Sequence, residues 1–324
     1  MRAATRAVQA TYPMLEVNET EASRNSRFSG FGLALIANVL WGTSFLASKY
    51  TLLAWGPFTA SALRFLLALA VMGVFLPLAG FPLKLPKTRA SIRAVLLMGV
   101  FGFGALYPLQ LTGLTMISSG LSAAIMLTSP LLVITLGALV LRESISTRKV
   151  AALALGMAGG CVLLFSNGLA SSSNSSNLLV GSMLTLGASA CLAFSVIATK
   201  KAASQMDSAN MTFWSMLVGL GTLLPFAIRE SSAKAPALPS VSSAVALLYL
   251  AIVCSAVCFL IWNRAIARSS PKELATTMHV KTPTAVVLGV LVAGESISIS
   301  MIVGALVVAA GVWLSHSEKS KRAS

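Results

Sequence analysis

Ten continuous apolar runs, at about 29–50, 57–79, 92–113, 118–141, 149–167, 179–199, 210–228, 241–262, 274–293 and 299–315, constrain this chain more than any other feature. About 20 apolar residues is the length at which an α-helix crosses the hydrocarbon core of a bilayer. Lipid offers the backbone no hydrogen-bond partners, so only helices and closed barrels span it. Barrel strands read as alternating segments of about ten residues. These runs are unbroken and rich in Ala, Gly, Leu and Val, and so predict helices. Only 10% of the residues are charged and 56% are hydrophobic, whereas a soluble domain carries roughly 25% charged residues. The expected class is an all-α integral membrane protein with ten transmembrane helices.

The net charge of +15 would suit a nucleic-acid binder, but its distribution points to the bilayer as partner and to no nucleic acid. With the N-terminus in the cytoplasm and ten alternating spans, 19 of the 24 basic residues fall in inside segments, which is the bias that orients membrane proteins. Arg229 and Lys234 lie in an outside loop, Lys49 at the outer end of the first span, and Arg64 and Lys281 within spans. The expected location is the plasma (inner) membrane, multi-pass, with both termini cytoplasmic. Residues 1–28 and 317–324 read as cytoplasmic tails. The first lacks the apolar core of a secretory signal; an organelle transit peptide is the alternative reading. The uncharged stretch "GLASSSNSSNL" at 168–178 reads as a linker between a first five-helix repeat, 29–167, and a second, 179–316.

The two halves share a signature. "ESIS" stands at Glu143–Ser146 and again at Glu295–Ser298, 295 − 143 = 152 positions apart. Residues 143–159 laid without gaps on 295–311 match at six of 17 positions, ending on Gly159 and Gly311. Pro130 precedes the first copy by 13 positions and Pro283 the second by 12. Because five spans is an odd number, two such repeats enter the membrane in opposite directions. Inverted-topology repeats of this kind recur in secondary transporters, with the substrate between the halves near the midplane. Within each ESIS the last serine suits the N-cap of the following helix, and the glutamate suits that helix's positive end.

Ordered fragments in both halves carry a family resemblance. The first span reads "NVLWGTSFLASKY", the second contains "ALRFLLA", and the fourth and ninth read "TSPLLVITLGALVLRE" and "KTPTAVVLGVLVAGE", each followed by a small-residue helix. Across residues 29–315 the chain resembles the EamA-type transporters of the drug/metabolite transporter superfamily. The resemblance implies ten helices, alternating access, and export or exchange of small metabolites, commonly amino acids or their relatives; related proteins carry nucleotide sugars or phosphorylated sugars. It also implies a cavity lined by spans 1, 3, 4, 6, 8 and 9. This chain departs in its sixth span, which lacks the first span's Trp, and before Pro283, where relatives often have a carboxylate and this sequence has His279-Val280-Lys281-Thr282.

Ionisable groups within spans cost about 2.5–3.5 kcal/mol each on insertion scales and so mark function. Lys281 is expected eight residues into the ninth span, roughly 10–12 Å from its inner end, where it would meet an anionic substrate group. Arg64 is similarly deep and would either join Lys281 or tie helices together. His279 is a helix-interface residue or a proton relay, about 200° around a straight helix from Lys281. Pro283 would free the His279 carbonyl, as Pro108, Pro130 and Pro225 would free those of Gly104, Met126 and Gly221. Trp41, Tyr107 and Trp214 are expected to shape the apolar part of a substrate site, with Trp262 an interfacial anchor at a span end.

The four cysteines all lie in apolar runs. Cys254 and Cys258 share a helical face without a second ligand pair, and read as packing rather than as a metal site. No HExxH, P-loop or GxSxG occurs, so neither enzyme, metal nor cofactor is expected. The reading is a secondary transporter of a small-molecule substrate, an exporter of amino acids or related carboxylate-bearing solutes. A sugar-phosphate or nucleotide-sugar exchanger is the alternative within transport, and a non-transporting scaffold the alternative outside it. Proton coupling and a homodimer, for which the small-residue spans 5 and 10 offer close packing, stay open on the sequence.

Overall fold

The computed structural model describes residues 13–78, 80–141, 151, 154–159, 161–162, 175–200, 206–233, 239–268, 277, 280–295 and 298–316, and among these every regular element is a helix. Helix α1 (Pro13–Leu52) is followed by α2 (Pro57–Leu78) and α3 (Arg89–Leu97). A π-helical segment, Met98–Ala105, joins α3 to α4 (Leu106–Leu114). Then come α5 (Ser119–Met126), α6 (Ser129–Leu141), α7 (Ser175–Lys200), α8 (Ser208–Ala233) and α9 (Val241–Ala251). A second π-helical segment, Ile252–Val257, leads into α10 (Cys258–Arg268), and α11 (Lys281–Ala293) and α12 (Ile299–His316) close the described chain.

Six of these stretches are long and apolar enough to cross a membrane: Gly30–Leu52, Pro57–Leu78, Arg89–Leu114, Ser176–Ile197, Ser208–Ala233 and Val241–Trp262. Ser119–Val133, Lys281–Ala293 and Ile299–Gly311 are shorter apolar helices. The apolar run at 149–167 and the linker at 168–178 lie largely outside the described residues. Large apolar side chains such as Leu78, Leu291 and Leu306 stand exposed around the bundle, as on a surface whose solvent is lipid. The chain is a multi-pass integral membrane protein.

Helix starts follow the local sequence. Ser118, Ser240 and Ser298 accept from the amides of Leu121, Ser243 and Met301, each capping its helix. Thr88 and Ser91 form a reciprocal capping box at α3. Helix α1 begins at Pro13, well ahead of the apolar run, with proline in the first-turn position it tolerates best.

The span prolines sort by the same rule. Pro108 follows the π-helical segment within the single span Arg89–Leu114, while Pro130 and Pro283 each sit in the first turn of a resumed helix, α6 and α11. There the missing N–H has no intrahelical partner to lose. The carbonyl of Met126, expected to be freed by Pro130, accepts the Ser129 hydroxyl at 2.6 Å. Pro225 stays inside the unbroken α8. One expectation changes as a result. Lys281 does not lie eight residues into a continuous helix; it is the first residue of α11, just after the break that Pro283 imposes.

The repeat is visible in these irregularities. The π-helical segments end at Ala105 and Val257, 257 − 105 = 152 positions apart, the spacing of the two ESIS copies. Helices α2 and α8 pack antiparallel around Phe65, Met72, Met216 and Leu223 and are fastened at both ends. At one end Glu230 accepts from the Thr59 amide and hydroxyl, both at 2.7 Å. At the other, Asn210 accepts from the Lys84 amide at 2.8 Å and donates to the Pro82 carbonyl at 3.1 Å. Thr59 and Asn210 are 210 − 59 = 151 positions apart, each near the start of its helix. In the small-residue spans, a Cβ on Gly159 would come within 2.7 Å of the Val308 amide nitrogen. Gly159 therefore serves close packing onto α12 of the same chain.

Candidate functional site

The π-helical turn at 252–257 organises the middle of the bundle. A π turn bonds i to i−5 and widens the helix, and such turns occur often at functional sites. The amide of Cys258 donates to the carbonyls of Val253 and Ser255, bypassing Cys254. The Cys254 carbonyl accepts the Trp41 indole N–H at 2.9 Å instead. Its neighbour Ser255 is fully buried; it donates to the Leu250 carbonyl at 2.9 Å and accepts from Arg64 Nε at 2.8 Å.

Arg64 is only 3% exposed. Its guanidinium carbon lies 4.7 Å from the centre of the Tyr107 ring and 5.9 Å from that of Phe65, so the charge rests on aromatic faces. Lys281 is held in a similar way, with Nζ 4.7 Å from the centre of the Trp41 ring. Trp41 in turn packs on Phe259 and Trp262 at centroid distances of 5.5 and 5.4 Å. Among the described residues neither cation makes an ion pair with a carboxylate; the ion pair there is Lys49–Glu295. Arg64 is bonded to Ser255, and Lys281 rests on the ring whose N–H is bonded to the Cys254 carbonyl, so both cations are supported from the turn at 252–257. Close approach of the first span to α11 depends on Gly42, where a Cβ would sit 2.6 Å from Thr284 Cβ and 2.8 Å from the Lys281 carbonyl oxygen.

Of the residues singled out in the sequence, Trp41, Arg64, Tyr107 and Lys281 come together here. Trp214 lies apart: its indole donates to the Lys84 carbonyl at 2.8 Å and packs against the cluster of Ala94, Val95 and Met211. His279 lies outside the described residues. Trp262 faces Trp41 rather than standing as a separate anchor. Cys254 and Cys258 point their thiols at the Leu40 and Ala37 carbonyls of α1, a packing role. Ser255, Phe259 and the Thr43–Tyr249 hydroxyl pair at 2.6 Å were not legible beforehand. The partners are roughly 200 residues apart, and a serine in an apolar run carries no local mark. A signal for Phe259 did exist: it stands 259 − 107 = 152 positions after Tyr107, the repeat spacing.

One end of the bundle is closed by Glu295, from the second ESIS. Its Oε1 lies 2.8 Å from Lys49 Nζ and accepts from the Ser119 amide at 2.9 Å. Its Oε2 accepts from the Ser119 hydroxyl at 2.7 Å and the Gly120 amide at 3.3 Å. The expected glutamate–dipole contact thus occurs, but at the start of α5 in the other half rather than at the helix that follows. Burial alone would push the Glu295 carboxyl up; the bonds from Lys49 and Ser119 outweigh it and hold the group below the ordinary carboxylate range. At the same end Ser243 donates to the Tyr50 carbonyl at 2.9 Å. The first ESIS lies outside the described residues.

Antiparallel apolar helices, with cations held on aromatic faces around a widened turn and paired with no carboxylate among the described residues, define a membrane protein with a polar site in its interior. The EamA-like transporter family model matches residues 28–165 and again 179–316, one match per half. The chain belongs to the EamA-like transporter family, and is a transporter by family. A WAT1-related protein of Arabidopsis thaliana, chloroplastic by name, is 26% identical over 277 residues, 85% of this chain and 66% of that protein. A probable terminal-alkyne amino-acid exporter of Streptantibioticus cattleyicolor is 26% identical over 285 residues, 87% of this chain and 91% of that protein. A solved crystal structure superposes with a TM-score of 0.63 at 18% identity, covering 90% of this chain and 99% of that one, which concerns the fold alone.

Proposed function

We propose that this chain is a secondary transporter that works by alternating access and exports amino acids or related carboxylate-bearing solutes. The observation that carries the reading is the pair of interior cations, Arg64 and Lys281, each resting on an aromatic ring and neither neutralised by a carboxylate among the described residues. Such charges are costly in a membrane interior, and an anionic substrate group compensates them. Lys281 at the start of α11 adds its charge to that helix's positive end. The aromatic rings of Trp41, Phe259 and Tyr107 suit the apolar part of a solute. The likeness to a protein named as an amino-acid exporter agrees with this substrate class.

The architecture we propose has ten spans in two inverted five-helix halves, with both termini cytoplasmic. The antiparallel α2–α8 pair, with Thr59 and Asn210, each near the start of its helix, fastened at opposite ends, supports this arrangement. So do the two π segments at the repeat spacing. Two interior cations would also suit a sugar-phosphate exchanger, the second reading.

Counterflow in proteoliposomes tests both. Vesicles are loaded with unlabelled amino acids and labelled ones are added singly outside, with and without a pH gradient. Accumulation that Lys281→Met abolishes in folded protein supports the carboxylate reading, and a dependence on the gradient supports proton coupling. Absence of amino-acid counterflow with active exchange of glucose 6-phosphate would replace it with the second reading.

A further inference from the structure

We propose that Ser255 is a positioning residue that aims Arg64 at the substrate, an inference that rests on the anion-recognising reading above. An arginine has donors only and a serine hydroxyl a single proton. At 2.8 Å from Nε, Ser255 Oγ must therefore accept from Arg64, and its one proton goes to the Leu250 carbonyl 2.9 Å away. The hydroxyl is locked in both roles and is fully buried. The Tyr107 ring lies against the face of the guanidinium. With Nε engaged and one face covered, the end-on pair of Nη groups, bonded to nothing among the described residues, is the part left to grip a solute. That edge matches the two oxygens of a carboxylate, or two of a phosphate, in bidentate geometry.

The π turn is what brings Ser255 to this spot. Each residue of an α-helix advances about 100° around the axis, so an α-helical register through 252–257 would swing the hydroxyl away from Arg64. The extra residue in the turn therefore serves the site directly. Trp41, which carries Lys281, is tied to the adjacent Cys254 carbonyl, so the supports of both cations converge on two consecutive residues of one turn.

The test is counterflow with two probes, a labelled mixture of the protein amino acids and labelled glucose 6-phosphate, which separate carboxylate from phosphate as the anion. Ser255→Ala is expected to raise the half-saturation concentration about ten-fold, with the loss falling on half-saturation rather than on maximal rate. Ser255→Thr, which keeps the acceptor, restores it. In an Arg64→Lys background, which keeps the charge but has no Nε, Ser255→Ala changes nothing further. Losses that add independently in the double variant would overturn the positioning role, as would a half-saturation unaffected by Ser255→Ala. If the Ala variant does not fold, Ser255→Cys, with its weak acceptor, carries the same comparison. Should Arg64→Gln and Lys281→Met both leave counterflow of both probes intact, the anion reading itself fails and the role of Ser255 with it.

Discussion

Glu295 and Lys49, which lie 295 − 49 = 246 positions apart, meet at 2.8 Å and hold the end of α1 to the end of α11, with the start of α5 bound by the same carboxylate. The contact joins the two halves of the chain. Any motion that separates them at this end must break an ion pair and three hydrogen bonds together.

Replacing that carboxylate by an amide gives the first prediction. Glu295→Gln is expected to cost about 1.5–3 kcal/mol, the range for hydrogen bonds to a charged group, and to lower the apparent melting temperature in detergent. A pH series adds a sign. The folded carboxyl is held below its unfolded value, so its stabilisation is complete above the unfolded pKa of about 4.3 and is lost as pH falls through the lower folded value. The variant should lack this acid limb, and a wild-type limb of unchanged shape in Glu295→Gln would contradict the assignment.

Trp41 has two separable roles. Trp41→Phe keeps a ring beneath Lys281 but removes the N–H bonded to the Cys254 carbonyl, at an expected cost of about 1 kcal/mol in stability. Trp41→Leu also removes the aromatic face, worth about 2 kcal/mol to a desolvated cation. Thermal unfolding reads the first loss; half-saturation in counterflow reads the second, about ten-fold or more. Equal behaviour of the two variants in both assays would show that the ring does not support Lys281.

At Gly42 the available space decides the outcome. A methyl group would press on Thr284 Cβ and on the backbone oxygen of Lys281, so Gly42→Ala is expected to destabilise by about 1–3 kcal/mol as an overpacked contact. Thr284→Ala should not rescue it, because Cβ and the Lys281 carbonyl both remain. Size-exclusion profiles and melting curves of the single and double variants check this.

The Glu230 contact behaves as a helix cap supplied from another helix. Glu230→Ala leaves the Thr59 amide without its acceptor and the Thr59 hydroxyl with only its longer contacts to the Ala227 carbonyl and the Ser231 hydroxyl, and is expected to cost about 1–2 kcal/mol. Glu230→Gln, which keeps one acceptor oxygen, should recover most of that. Chemical denaturation in mixed micelles would measure both.

Six of the spans were legible because lipid imposes one rule on every residue of a run, and α2 begins at Pro57, where that rule predicted it. The repeat was legible because it is written in identities. Pro283 announced a break, but not that Lys281 would begin the resumed helix rather than ride in the middle of one. The π turns gave no warning: widening a turn by one residue is settled by what its carbonyls and side chains meet, here Trp41 and Arg64. Glu295 followed the dipole rule, yet chose a helix start 176 residues back along the chain. Capping chemistry names a kind of partner, and only packing chooses which one.

The double fastening of α2 to α8 has a consequence for spectroscopy. Bound by Glu230 at the start of α2 and by Asn210 through the Pro82–Lys84 segment just beyond its end, the two helices are expected to behave as a strut. Spin labels placed one on each should report a single narrow distance, with and without added substrate. That distance is the internal ruler against which displacements elsewhere in the bundle can be calibrated.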